Sequence, residues 1–229
     1  MDFPDRYDRN FAALSADEQQ RLAEAHVGVF GCGGLGGLVI EALARIGVGH
    51  LRVVDGDVFE QSNLNRQLLS SEATLGREKA IVAAERIKAI NSGVEAEPIV
   101  AFLDENNAAS MLAGLDCAVD CLDNPDGRFW LAHACQQEGV PVAYGAIAGW
   151  FGQACTVYPG DPSFATVYGA VAGKSIENPL GNLPFTAYAT SAVQASETVK
   201  VLLNRPGQLR NRLLMIDLLG GAVDEVELR

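Results

Sequence analysis

Short apolar runs and helical spacings alternate along the first two thirds of the chain. Val27-Gly28-Val29-Phe30 is a compact apolar run ending in glycines, and Leu38 to Ile46 then repeats apolar residues at helical spacing. This predicts strand, tight turn and helix. Leu51-Arg52-Val53-Val54 supplies a second strand, which completes a βαβ unit with parallel strands. Upstream, Ser15-Ala16-Asp17-Glu18 reads as a capping box that starts a short helix through about Ala25. Downstream, the pattern predicts helix over Gly76 to Ile90, strand over Val94 to Val100 despite Pro98, helix over Asp104 to Leu112 and a buried strand over Ala118 to Leu122. Helix over Pro125 to Glu138 and strand over Val140 to Tyr144 continue the alternation.

The rhythm then changes. Gly145 to Gly181 is rich in Gly, Pro and Ser, with one strand expected at Gln153 to Tyr158, and reads as an antiparallel extension followed by a long functional loop. Thr190 to Leu203 is helical by pattern, and Leu213 to Asp217 and Val223 to Leu228 form a closing strand pair around Gly220-Gly221. The expected fold is therefore α/β: a Rossmann-like, mostly parallel sheet with helices on both faces, extended by antiparallel C-terminal strands. At 229 residues a single domain, 1–229, is the simplest reading.

Composition narrows the function. Hydrophobic residues make up 48% of the chain and charged ones 20%, the profile of a folded globular protein. A net charge of −12 repels a polyphosphate backbone, which argues against nonspecific nucleic-acid binding. Any polyanionic ligand must be met by a few basic residues gathered in one cleft. Met1 to Asn10 lacks the apolar core of a signal peptide, and the uncharged stretch Val27 to Ile40 is shorter than the roughly 20 apolar residues of a membrane span. Five cysteines, Cys32, Cys117, Cys121, Cys135 and Cys155, make no CxxC pair. A soluble, cytoplasmic protein with reduced thiols and no membrane partner is expected.

Gly31-Cys32-Gly33-Gly34-Leu35-Gly36 fits G-x-G-x-x-G directly after a strand and at the opening of a helix. There, missing side chains let backbone amides approach a phosphate at the positive helix end. Asp55 follows nineteen positions after Gly36, beyond a strand, where a carboxylate accepts ribose hydroxyls of NAD or ATP alike. Arg66 and Lys79, thirteen positions apart just after this acid, favour ATP, because a triphosphate needs cations that a nicotinamide enzyme does not. Asp123, in Asp120-Cys121-Leu122-Asp123-Asn124, lies at the end of the fourth core strand, where it is placed to hold Mg²⁺ beside phosphates. Asp120 and Asp57 are alternatives that also suit a helix cap or a structural hydrogen bond.

These pieces together resemble one family. Arg6-Tyr7-Asp8-Arg9, the glycine loop, Val54-Asp55-Gly56-Asp57, Ser62-Asn63-Leu64-Asn65-Arg66-Gln67, Gly76-Arg77-Glu78-Lys79 and the Asp120 to Asn124 run with Arg128 look like the ThiF/MoeB/HesA adenylyltransferases, bacterial relatives of ubiquitin-activating enzymes. The match is collinear from about Arg6 to Leu203. The resemblance implies ATP-dependent adenylylation of the C-terminal Gly-Gly carboxylate of a ubiquitin-like sulfur carrier protein, of thiamine or molybdopterin type, with release of pyrophosphate. It implies a nucleotide site of Gly31, Gly33, Gly34, Gly36, Asp55, Asp57, Asn63, Arg66, Gln67 and Lys79, with Asp123 for Mg²⁺. It also implies a homodimer in which Arg9 reaches the neighbouring subunit's site, so that Arg9, Arg66, Lys79 and Asp123 carry catalysis. Residues 1–144 would then be the nucleotide-binding part and 145–229 the substrate-loop and dimer-forming part.

The sequence departs from the family in one respect. Many relatives carry two CxxC pairs for zinc, whereas Pro162-Ser163-Phe164-Ala165-Thr166-Val167 and the Leu228-Arg229 end have none, so no zinc site is expected. Nor does Gly173 to Pro184 hold a cysteine for a covalent step. His26, His50 and His133 read as structural. Three other readings remain open at this point: activation of another carboxylate, as in tRNA threonylcarbamoyladenosine dehydratase, an NAD-binding oxidoreductase, and a non-catalytic nucleotide-binding module.

Overall fold

A computed structural model describes residues 4–169 and 180–228 of the chain. Its eight strands are β1 (His26–Phe30), β2 (His50–Val54), β3 (Glu95–Ile99), β4 (Cys117–Asp120), β5 (Val142–Ala148), β6 (Phe151–Val157), β7 (Arg212–Asp217) and β8 (Ala222–Glu227). They form one sheet in the order β3-β2-β1-β4-β5-β6-β7-β8. Pairing is parallel from β3 through β5 and antiparallel from β5 through β8, as the sequence pattern predicts. The order reverses between β1 and β4, and the crevice outside the C-terminal strand ends at such a reversal is where open α/β sheets bind ligands. Pro98 is tolerated because β3 is the edge strand, where a missing amide breaks no interior ladder.

Helices α1 (Ala16–Glu24), α2 (Gly36–Ile46), α3 (Lys79–Ile90), α4 (Ala108–Leu112), α5 (Pro125–Glu138), α6 (Ser163–Tyr168) and α7 (Pro184–Leu203) cover the sheet. The period-two alternation of the strands divides the core between the two faces. Val27, Val29, Leu51 and Val53 pack with Val39, Leu43, Ile87 and Leu203 from α2, α3 and α7. Phe30, Val54 and Ala118 face the other way, toward Leu112, Leu131 and Tyr168 from α4, α5 and α6. The capping box expected at Ser15 is present in full, with Ser15 and Glu18 each bonding the other's backbone amide.

Helices α3 and α4 begin three and four residues later than expected, and three further elements depart more from expectation. Helix α7 begins at Pro184, six residues before Thr190, with proline in the first turn where no amide partner is needed. Its buried face carries Thr186, Thr190, Ser191, Gln194, Glu197 and Thr198, so apolar periodicity understates it. Strand β5 runs on to Ala148 and turns through Gly149, at φ +56, into β6, so the start of the expected loop is a hairpin. The expected loop also contains α6, while residues 170–179 lie outside the described ones.

Candidate active site

The turn from β1 into α2 has a shape that side chains would destroy. Gly31 lies at φ +93 and donates its amide to the Val54 carbonyl at 2.8 Å. A Cβ on Gly31 would sit 2.5 Å from the Cys121 carbonyl oxygen, and one on Gly36 only 1.7 Å from that of Gly31. Both glycines are therefore required by the close passage of backbone segments. At Gly33 and Gly34 a Cβ would instead meet the Gln67 amide at 3.3 Å and the Arg66 stem at 3.8 Å. The open side of the loop thus faces the Ser62 to Gln67 segment.

Asp55, at the end of β2, ties this turn together. Its Oδ2 accepts from the Cys32 amide at 2.7 Å and its Oδ1 from the Asp57 amide at 2.8 Å. Burial pushes the Asp55 carboxyl above the ordinary range, against the lowering effect of these amides and of Lys79. Lys79 opens α3 with its stem buried; its ammonium donates to Asp57 Oδ2 at 3.1 Å, and its backbone amide bonds the Asp57 carbonyl at 2.9 Å. Arg66 is half-buried and donates to the Ser62 carbonyl and to Asn65 Oδ1. Gln67 is buried and its Oε1 has no hydrogen-bond partner. A buried acceptor without a donor costs about 1–3 kcal/mol, a cost that a ligand's hydroxyl or amine at this position relieves. Asn63 is turned to local duty, accepting the Glu60 amide at 3.0 Å.

At the end of β4 the two carboxylates separate by role. Asp120 is fully buried; its Oδ2 takes Arg128 at 3.3 Å and the Tyr168 hydroxyl at 3.1 Å, while its Oδ1 takes the Leu122 amide at 3.1 Å. Burial raises its carboxyl pKa against the pull of Arg128. The structural alternative considered for Asp120 therefore holds. Arg128 also donates to the Gly145 carbonyl at 2.9 Å and stacks its guanidinium over Tyr144. Asp123 is exposed on the turn that Asp120 fixes, and Asn124 caps α5 through the Gly127 amide. A single accessible carboxylate suits Mg²⁺, which keeps several waters and shares substrate phosphates. No group of three or more His, Cys, Asp or Glu able to hold a metal occurs among the described residues.

The structure places Arg9 apart from the other site residues. Arg6 donates to Asn91 Oδ1 at 2.5 Å, and the Tyr7 hydroxyl accepts from Asn91 Nδ2 at 2.7 Å, which anchors the N-terminal segment at the end of α3. The Tyr7 ring also covers Gly47, just past the end of α2. Since the glycine loop lies at the start of α2, its eleven residues separate the two places by about 16 Å at 1.5 Å per residue. Arg9 is exposed and forms no hydrogen bond or ion pair among the described residues.

The histidines sit elsewhere. His26 and His50 stack at 3.9 Å at the N-terminal ends of β1 and β2, the opposite edge of the sheet, and His133 stacks on Phe129 along α5. All five cysteines are buried. Sequence reasoning gave no role to Asn91, Asn65 or Tyr168, because each acts through partners more than 80, 115 and 45 positions away respectively.

Comparison with known proteins bears on the family and the fold. The chain is 37% identical over 233 residues to the SAMP-activating enzyme E1 of Haloferax volcanii, covering 98% of this chain and 85% of that one. It is 36% identical over 159 residues to the sulfur carrier protein ThiS adenylyltransferase of Bacillus subtilis, covering 68% of this chain and 47% of that relative. A crystal structure of E. coli MccB with ATP shares the fold, with a TM-score of 0.81 at 22% identity over 99% of this chain and 72% of that one. The sequence pattern of the ThiF family matches residues 7–229, and the chain belongs to that family.

Proposed function

We propose that this protein activates a ubiquitin-like sulfur carrier by adenylylating its C-terminal Gly-Gly carboxylate. The observation that carries this reading is the open side of the Gly31 to Gly36 loop, which faces Arg66 and Gln67 while Asp55 ties the loop to β2 and Lys79 rises beside it. The relatives named for SAMP activation and for ThiS adenylylation support the choice of acceptor.

The reaction asks little covalent chemistry of the enzyme. A carboxylate oxygen of the carrier attacks the α-phosphorus of ATP; the bond from that phosphorus to the bridging oxygen breaks, and its electron pair leaves on pyrophosphate. No protein nucleophile is needed, so catalysis consists of alignment and charge stabilisation. In this reading Asp55 receives the ribose, the glycine-loop amides the phosphates, and Arg66 and Lys79 the charge that accumulates on the departing pyrophosphate. Gln67 and Asn63 line the same wall, and Asp57 holds the Lys79 ammonium until phosphate competes for it. Mg²⁺, held by Asp123, would supply further charge neutralisation across the phosphates.

A homodimer completes the site in this reading. Arg9 has no partner among the described residues, and Tyr7, two positions before it, packs at the end of α2 remote from the glycine loop, so Arg9 serves a second copy in preference to its own. An apolar groove of about 430 Å³, between Ala13 and Leu14, Ala42 and Ile46 of α2, and Val199 and Leu203 of α7, lies beside the N-terminal segment and offers a face for that copy. Cytoplasmic residence fits five unbridged thiols. The test is whether the purified protein exchanges labelled pyrophosphate into ATP when, and only when, a Gly-Gly-ended carrier is present.

A further inference from the structure

We propose that Asn65 is a positioning residue that couples the nucleotide half of the site to the segment where the carrier tail must enter. This rests on the function proposed above. The Asn65 side chain spans two elements: its Oδ1 accepts from Arg66 at 2.9 Å, and its Nδ2 donates to the Asn182 carbonyl at 3.2 Å. Asn182 belongs to a junction at the C-terminal rim of the sheet. Gly149, at the tip of the β5–β6 hairpin, bridges to Asn182 and donates its amide to the Gly181 carbonyl at 2.7 Å, while Thr186 at the start of α7 bonds the Gly149 carbonyl at 2.8 Å. β5 pairs with β4 as far as Asp120 and Tyr144 and then runs on to Ala148, so the junction projects beyond the end of β4 on the same C-terminal edge of the sheet as the Asp123 turn. In this proposal a peptide carboxylate approaching the α-phosphate passes the Gly149–Asn182 junction, which lies one side chain away from Arg66 through Asn65. One amide therefore links the guanidinium that meets phosphate to the backbone that borders the acceptor's path.

Coupling follows from this link. When a nucleotide restrains Arg66, the Asn65 amide loses freedom, and its hold on Asn182 strengthens without any large motion. By reciprocity, an acceptor that orders the junction tightens nucleotide binding by the same factor. The glycine loop meets α7 further along the helix, where the Ser191 hydroxyl donates to the Leu35 carbonyl at 3.1 Å, whereas Asn65 joins Arg66 directly to the Asn182 backbone.

The test is hydrogen exchange of the full-length protein with and without a non-hydrolysable ATP analogue, followed at the Gly149 amide and across Asn182 to Thr186. The wild-type protein is expected to show analogue-dependent slowing of about tenfold, within the usual range for coupled sites. Asn65→Ala is expected to lose that dependence while still binding the analogue in calorimetry. Asn65→Asp keeps an oxygen for Arg66 but has no amide to donate to Asn182, and it is expected to lose the dependence as fully. A merely structural role predicts faster exchange in the variants with and without nucleotide alike, leaving the ratio unchanged, and that result would overturn the proposal. Protection that survives in either variant would also overturn it. A wild-type protein that fails to bind ATP overturns the nucleotide reading itself, and this proposal with it.

Discussion

The Lys79 ammonium donates to the Asp57 carboxylate at 3.1 Å, with the lysine side chain 9% exposed and the aspartate 53%. A buried stem aims the charge at the mouth of the glycine loop, and its partner is wet enough to give way to a stronger anion. Lys79→Ala removes that charge and leaves Asp57 able to turn to solvent. Loss of about a hundredfold or more in pyrophosphate exchange is expected, the scale seen when one preorganised electrostatic donor is removed, with the folded state retained. Asp123→Ala, on an exposed turn, is expected to do the same and to blunt the Mg²⁺ dependence. Exchange at the wild-type rate in both variants would show that the site is misassigned.

Arg9 offers a complementation experiment. Arg9→Ala and Asp123→Ala homodimers are each expected to be inactive, while heterodimers formed by mixing regain up to half of the wild-type activity, since one site per dimer then holds Asp123 and a neighbour's Arg9. Demonstrated heterodimers with no recovery would remove the trans arginine from the account.

The cysteines bear on what happens after activation. Cys32, Cys117, Cys121, Cys135 and Cys155 are all buried, and burial pushes the Cys117 and Cys155 thiols up to about 12 and the other three upward as well. Since the thiolate is the nucleophile, none is poised to accept an acyl group. Incubation with carrier and ATP is expected to yield a noncovalent acyl-adenylate and no thiol-reducible adduct by mass spectrometry. Thiol reagents are expected to modify the native protein only as fast as it unfolds.

Acid stability gives a separate check on how the N-terminal helix docks. Arg205 forks onto Glu18, which also caps α1, and the Arg205 hydrogen bonds together with those from Ser15 lower the Glu18 pKa to about 2. A carboxylate whose folded pKa lies below its unfolded one stabilises the fold above the unfolded value and loses that contribution as pH falls through the folded one. The difference in melting temperature between wild type and Glu18→Gln is therefore expected to be constant above about pH 5 and to vanish as the pH approaches 2. The pair lies at the surface, with Arg205 exposed and Glu18 half-buried, so the difference is small and shrinks with salt.

Much of this architecture was legible in the order of the residues. The βαβ start and the antiparallel close follow from periodicity and turn chemistry, while the edge position that tolerates Pro98 is seen only in the strand order. Gly31 and Gly36 were identified by motif, and their contacts with Cys121 and with each other give the reason. What escaped had a physical cause in each case. The first turns of α7 bury Thr186 and Thr190, which hydropathy scores as surface. The hairpin tip and α6 hid in a stretch whose glycines and prolines suggested loop on either side of the one strand expected at Gln153 to Tyr158. Position in the strand already favoured Asp123 over Asp120 for Mg²⁺, and the burial of Asp120 against Arg128 and Tyr168 gives its structural role a physical reason.

The central claim is tested most directly by ATP–pyrophosphate exchange with an intact sulfur carrier, with the same carrier lacking its terminal Gly-Gly, and with no carrier. The account predicts exchange with the intact carrier alone, dependent on Mg²⁺ and abolished by Lys79→Ala. Equal exchange with the truncated carrier, or none with any Gly-Gly-ended carrier despite bound ATP, would contradict it.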